Sequence, residues 1–337
     1  MTQTTQTDRT TTGAIPVPAR TGVHELDPAE AQSAREVALR LVATAGAVVD
    51  DEKWISAAAA AWQELPLSLR HAVRAFRRHS GSRGTLLLRG LPVAVDELPA
   101  TPGHGSSVQR RATVPAALIM AVASGLGDPI AFAPEKSGAM VQDVVPVAGR
   151  EEFQGNAGSV RLSYHNENAF HPHRPDYVLL ICLRPDHDRI AGTSTACVRE
   201  VLPLLSPAGR EALHAAEFTT AAPPSFGAGG ERAGAHAVLT GPASDPDLRV
   251  DLAATRPLTA RAERALSELA DVFETVGRTE VLTTGDLVIV DNRVAVHGRS
   301  RFTPRYDGSD RWLQRTFVAA DLRRSRSHRA DDGHVLI

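Results

Sequence analysis

From about residue 129 the chain runs as short stretches of apolar and β-branched residues, each closed by turn residues. They are MVQDVVPV (140–147), SVRLSYH (159–165), DYVLLICLR (176–184), TSTACV (193–198), HAVLT (236–240), LRVDL (248–252), TEVLTTG (279–285), DLVIVDN (286–292) and RWLQRTFVAA (311–320). Many short strands of this kind argue for a sandwich or a barrel. Two helical stretches interrupt them. One is SPAGREALHAAE (206–217), with Ser206 as N-cap and Pro207 at the first helical position. The other, 258–277, sets Leu266, Leu269, Val272 and Phe273 on one face.

Upstream the texture is helical. The spacing predicts a helix over 28–47, with Asp27 or its neighbour as a cap, Pro28 in the first turn and Val37, Leu39, Leu41 and Val42 as its apolar face. A second helical region, 53–79, is broken near Pro66, and a buried helix spans 113–127, starting at Thr113. Between them GTLLLRGLP (84–92) reads as a buried strand and 93–111 as a loop. There is no internal repeat and no interdomain linker. The expected architecture is mainly β with flanking helices, one domain over 23–322, built from a helical layer (about 23–127) and a β core (about 129–322). Residues 1–22 read as a disordered Thr/Gln-rich lead and 323–337 as a flexible, solvated tail. The Gly/Pro-rich segment TTAAPPSFGAGGERAGAHAV (219–238) reads as a lid over a site.

Composition excludes several classes. With 337 residues, 42% of them hydrophobic, the chain can bury one large core. A net charge of -2 and only 4% aromatic residues leave no basic or base-stacking surface, so neither nucleic acid nor an anionic membrane is an expected partner. No apolar run approaches the roughly 20 residues that span a bilayer, and the N-terminus lacks a basic region followed by an apolar one. Cys182 and Cys197 lie in apolar surroundings and read as buried, reduced thiols. A cytoplasmic protein is expected.

The stretch LSYHNENAFHPHRPDY (162–177) crowds His165, His171 and His173 beside Glu167. In a strand, His165 and Glu167 share a face and can converge on one ion. The pair alone carries little, because 13 histidines and 39 acids in 337 positions give roughly 1.5 such pairs by chance. A second signal lies far downstream, where GDLVIVDNRVAVHGRSRF (285–302) places His297 after an apolar strand and before a glycine. Two imidazoles and one carboxylate form the facial set of non-haem Fe(II) oxygenases, which leaves positions open for co-substrate and O₂. The same atoms suit a zinc-dependent hydrolase, although no separate general base stands at a telling spacing, or a binding protein that kept a cupin-like barrel. Further on, Arg311 and Arg315 lie four apart in a strand-like run, on one face. A buried arginine there needs an anionic partner, and a guanidinium fork matches a carboxylate.

Taken together, YHNENAFHPHRPDYVLLICLR, LVIVDNRVAVHGRSRFTPRYDG and DRWLQRTF resemble the clavaminate synthase-like Fe(II)/2-oxoglutarate-dependent oxygenases, in particular their hydroxylases of arginine, asparagine and lysine. The resemblance runs from about Gln142 to Leu322. Glu167 stands where most of the wider superfamily has aspartate, as this group would have it. The resemblance implies a double-stranded β-helix, a jelly roll with the metal at its mouth. It makes His165, Glu167 and His297 the Fe(II) ligands and Arg311 the partner of the distal carboxylate of 2-oxoglutarate. Thr193, with Thr195 as the alternative, would assist Arg311. Arg315 would take the substrate α-carboxylate, while Gln142 and Glu167 would face its amino group. His171 and His173 would be rim residues.

The implied activity is hydroxylation of an unactivated C–H bond of a free amino acid, using O₂ and 2-oxoglutarate, in specialised metabolism such as antibiotic biosynthesis. Desaturation or cyclisation on the same scaffold stays open. Asp245, Asp247 and Asp251 follow the lid segment. If Asp247 or Asp251 faces the pocket, a basic substrate is favoured: L-arginine first, then L-lysine or citrulline.

Overall fold

A computed structural model of the chain describes residues 22–44, 46–223, 226 and 234–337. The expected N-terminal lead up to residue 21, and residues 224–225 and 227–233 of the expected lid, lie outside the described residues.

The helical layer follows from local signals. Helix α1 (Pro28–Val42) opens with a reciprocal cap: the Asp27 carboxylate accepts from the Glu30 N–H at 2.8 Å, and Glu30 accepts from the Asp27 N–H at 3.1 Å. Pro66 separates α2 (Glu52–Ala61) from α3 (Leu67–Arg78). Helix α4 (Val114–Leu126), capped by Thr113, is apolar nearly all round. It lies between α1, α2 and α3 on one side and the main sheet on the other. Gly125 permits this packing, because a Cβ there would stand 2.6 Å from the Trp62 ring.

The main sheet has eight strands: β1 (Val23–Glu25), β2 (Thr85–Arg89), β13 (Leu287–Asp291), β6 (Tyr177–Arg184), β15 (Trp312–Ala319), β3 (Asp128–Phe132) and β16 (Val335–Leu336) in that order, with β4 (Gln142–Val144) also paired to β15. A smaller sheet runs β12 (Arg278–Glu280), β7 (Thr193–Cys197), β14 (Ala295–Arg299) and β5 (Leu162–His165). Two short pairs complete it: β8 (Phe218–Thr220) with β11 (Thr255–Pro257), and β9 (Leu239–Thr240) with β10 (Asp247–Leu248). Strand alternation divides the core. Leu86, Leu88, Leu179, Ile181 and Ile289 face the helices. Their neighbours Leu87, Val178, Leu180 and Val288 join a second core with Cys197 and Ala295 of the smaller sheet. Helix α5 (Ala260–Val276) covers that core through Ala262, Ala265, Leu269 and Phe273; Leu266 and Val272 are only partly buried.

Three differences from the sequence reading have physical causes. The tail is not a free extension. Leu322–His328 forms a 3₁₀ turn, and Val335–Leu336 pairs in parallel with β3, burying Leu336. Two apolar residues at the chain end close an open sheet edge, which a reading of the charged run preceding them misses. β3 itself is short and contains a proline, which argues against a strand by pattern alone. LRVDL and TEVLTTG contribute only parts of short strands. Residues 249–252 leave regular pairing to run beside β5, and 283–286 form a turn. Both cysteines are free and buried, and burial pushes their thiols up to about 12. No described helix is long and apolar enough to cross a membrane.

Candidate active site

His165 closes β5, and His297 is its direct partner across the antiparallel pair with β14. Opposed residues share a face, and the two ring centroids are 4.3 Å apart. Glu167, two residues on, brings Oε2 to 3.6 Å from His297 Nε2. The ligand atoms of all three lie within 4.8 Å of one another. The protonation states suit a cation. His165 Nδ1 is 2.9 Å from the Ser163 carbonyl, which can only accept, so Nδ1 is the donor there and Nε2 is the ring nitrogen left for a ligand role. Burial and the adjacent His165 push His297 down to about 4, so its imidazole is neutral at pH 7. Burial opposes ionisation of Glu167, yet Arg315 and the two histidines hold it well below the usual carboxylate range. Two imidazoles and one carboxylate on one face fit Fe(II).

Two asparagines hold this geometry. Asn166 points away from the metal face, donating to the Asn292 and Ala295 carbonyls, both at 2.9 Å, and accepting from the Val250 N–H at 2.9 Å. Asn292, fully buried, accepts from the Glu167 N–H at 2.8 Å and donates to the Glu167 and Pro175 carbonyls at 3.1 and 2.9 Å. The turn between β13 and β14 is thereby tied to the backbone of Glu167.

The cluster borders a cleft of ≈ 790 Å³, whose walls include Glu135, Asn156, Asp251 and Arg315. Arg315, on β15, donates to Glu167 at 2.9 Å and also to Glu135 and Gln142. Glu135 was not foreseen. It sits in a turn with no periodic pattern, and its link to Arg315 exists only in the folded chain. Burial pushes its carboxyl upward and Arg315 opposes that shift. Gln142 keeps Nε2 buried and, among the described residues, without a hydrogen-bond partner.

Of the two candidate aspartates, only Asp251 lines the cleft. Its backbone lies opposite His165, and its Oδ1 accepts from the Ala253 and Ala254 N–H groups at 2.8 and 3.1 Å. Asp247 does not line it, a correction to the sequence reading. It stands on β10, where its charge weakly offsets the burial of Arg174. Asp245 pairs with Arg199 at 2.7 Å. His171 and His173 do not line the cleft either. His171 packs against Phe132 and Phe170, and His173 stacks on His328.

Arg311 is only 5% exposed, and among the described residues its guanidinium has no hydrogen-bond or ion-pair partner. It lies near the Phe302 ring and next to Cys182 and Arg299. A buried charge in this state calls for an anion, and a dicarboxylate co-substrate fits. Thr193 is paired with Arg299 across β7 and β14, and Thr195 with His297. Both threonines face the gap between the sheets, Thr193 buried and Thr195 half-buried.

Comparison with known proteins agrees with this geometry. Residues 53–317 match the family described as taurine catabolism dioxygenase TauD, TfdA family. The chain is 57% identical to L-asparagine oxygenase of Streptomyces coelicolor over 311 residues, which cover 92% of this chain and 93% of that protein. It is 34% identical to clavaminate synthase 2 of Streptomyces clavuligerus, covering 76% and 80% of the two chains. The crystal structure of asparagine oxygenase in complex with Fe(II), 2S,3S-3-hydroxyasparagine and succinate matches with a TM-score of 0.91 at 57% identity, covering 93% of this chain and 98% of that one.

Proposed function

The chain belongs to the taurine catabolism dioxygenase TauD, TfdA family, and on that premise we propose that it hydroxylates free L-asparagine, using Fe(II), 2-oxoglutarate and O₂. The observation that carries this reading is the convergence of His165, Glu167 and His297 beside a cleft walled by Arg315, Glu135 and Asp251. The two sheets, in this reading, are the halves of a jelly roll in a single domain.

Fe(II), when bound by His165, Glu167 and His297, supplies O₂ activation coupled to decarboxylation of 2-oxoglutarate to succinate and CO₂, and so the oxidation of a C–H bond. The chain's own groups then have distinct tasks. Arg311 takes the distal carboxylate of 2-oxoglutarate as a bidentate partner, with the Thr193 hydroxyl donating beside it. Arg315 takes the α-carboxylate of the amino acid. Glu135, Glu167 and Gln142 surround its ammonium, and one guanidinium between two carboxylates suits a zwitterion. Burial of Glu167, His297 and Arg315 keeps water from the reacting carbon.

Asp251 sets the side-chain preference. A carboxylate accepts from an ammonium or a guanidinium, the basis for expecting arginine or lysine. It accepts equally from the N–H groups of a carboxamide. The 57% identical relative is an asparagine oxygenase, and asparagine therefore stands before the basic amino acids. The test is a screen of free amino acids with enzyme reconstituted anaerobically with Fe(II) and 2-oxoglutarate, then exposed to O₂. Asparagine is expected to give succinate and a product heavier by about one oxygen atom. Arginine or lysine as the preferred substrate would displace it.

A further inference from the structure

Glu135 is delivered to the cleft by an unusual backbone. Lys136, Ser137 and Gly138, which follow it, all have positive φ, at 48°, 55° and 69°. Left-handed backbone is costly at a non-glycine residue, so two in a row persist only where the surroundings enforce them. Within the turn, the Gly138 N–H donates to the Glu135 carbonyl at 3.0 Å and the Ala139 N–H to the Lys136 carbonyl at 3.3 Å. From outside, Val335 of the C-terminal strand lies over Gly138, where a Cβ would meet its Cγ1 at 3.0 Å.

The main restraint is Lys136 itself. Its ammonium donates to two backbone carbonyls, Ser107 at 3.1 Å and Asp143. Asp143 lies on β4 next to Gln142, and its carboxylate accepts from the Ser107 hydroxyl, from Trp312 Nε1 at 2.8 Å and from Gln314 Nε2 at 3.3 Å. Trp312 and Gln314 belong to β15, the strand that carries Arg315. Lys136 thus ties the Glu135 turn directly to β4, which carries Gln142, and through Asp143 to β15, which carries Arg315. Keeping a cation here has a cost. Burial and Arg315 push the amine down to about 8, against the opposing pull of Asp143 and Glu135.

We propose that Lys136 is a positioning residue for amino-acid binding: it locks the left-handed 136–138 turn so that the Glu135 carboxylate is held against Arg315 at the wall of the cleft. This rests on the reading above that Glu135 and Arg315 receive the zwitterionic end of the substrate. The test uses the anaerobic Fe(II)·2-oxoglutarate enzyme, titrated calorimetrically with L-asparagine, together with steady-state kinetics. Lys136→Met should raise Kd and KM for asparagine by about tenfold, the loss expected from one charge-assisted anchor. It should leave kcat within about twofold and KM for 2-oxoglutarate unchanged, while Lys136→Arg restores part of the affinity. If Lys136→Met does not fold, Gly138→Ala serves instead. It strains the turn at φ 69° and should give the same selective rise in KM. Unchanged affinity for asparagine in these variants overturns the proposal. So does a fall in kcat together with a rise in both KM values and a lower Tm, which marks a structural residue only. If wild-type enzyme binds and turns over no free amino acid, it is the substrate reading that fails, and this is seen before any variant is made.

Discussion

Arg315 joins the metal cluster to the wall of the cleft: Nη1 donates to the Glu167 carboxylate at 2.9 Å, and Nη2 pairs with Glu135. A planar fork can serve two carboxylates at once, whereas an ammonium is a single point of charge. Arg315→Lys should therefore leave one buried carboxylate poorly paired. KM for the amino acid is expected to rise by about thirtyfold, with iron binding retained because His165, Glu167 and His297 are unchanged and a lysine ammonium can still pair with Glu167. Steady-state kinetics and an anaerobic iron titration of the same variant check both halves.

Arg311 has the opposite balance. It is buried close to Arg299, and among the described residues it has no ion pair, with Asp186 offsetting its charge only from beyond contact distance. Removing an uncompensated buried charge relieves desolvation and like-charge repulsion. Arg311→Met should hold or raise the Tm of the protein without co-substrate, yet raise KM for 2-oxoglutarate by roughly a hundredfold. A thermal melt with and without 2-oxoglutarate separates the effects: wild type gains Tm from the co-substrate and the variant does not.

Asn292 has no contact with iron in this scheme, yet it fixes both backbone groups of Glu167. Asn292→Ala leaves the Glu167 N–H and two carbonyls buried without partners. Chemical denaturation should show a loss of about 3 kcal/mol, and iron affinity should fall with it because Glu167 is no longer held in register with His165.

His171 gives the fold an acid sensitivity. Its Nδ1 accepts from the His173 N–H at 3.0 Å, which requires the unprotonated ring. Burial and His173 push it down to about 4, from 6.5 when unfolded. Between those values the unfolded chain binds more protons, so this contribution is complete above about 6.5 and lost as pH falls toward about 4. His171→Asn keeps an acceptor two residues before the same N–H and does not titrate. Its Tm should fall less than that of wild type between pH 7 and pH 5 in differential scanning calorimetry.

Much of this site is written locally. His165 and Glu167 are two apart on a strand, His297 follows an apolar run, and Arg311 and Arg315 lie on one strand face. Strand periodicity and ligand chemistry expose each of them. Glu135 was hidden because nothing local marks it; its partner is 180 residues away in the chain. Asp247 and Asp251 could not be separated by pattern, since one ends up on a two-residue strand beside Arg174 and the other next to His165 only through an irregular crossing. The C-terminal strand escaped for a related reason: two apolar residues make no period, and only the open edge of β3 shows their use. The helical layer was legible almost throughout, because Asp27, Pro66 and Thr113 mark its boundaries chemically.

The most direct measurement is the coupling of product to co-substrate in enzyme reconstituted with Fe(II) and supplied with L-asparagine, 2-oxoglutarate and O₂. One succinate should form for each hydroxyasparagine, and succinate should be nearly absent without an amino acid. Succinate formed equally well without asparagine, or faster with arginine or lysine, would contradict the assignment.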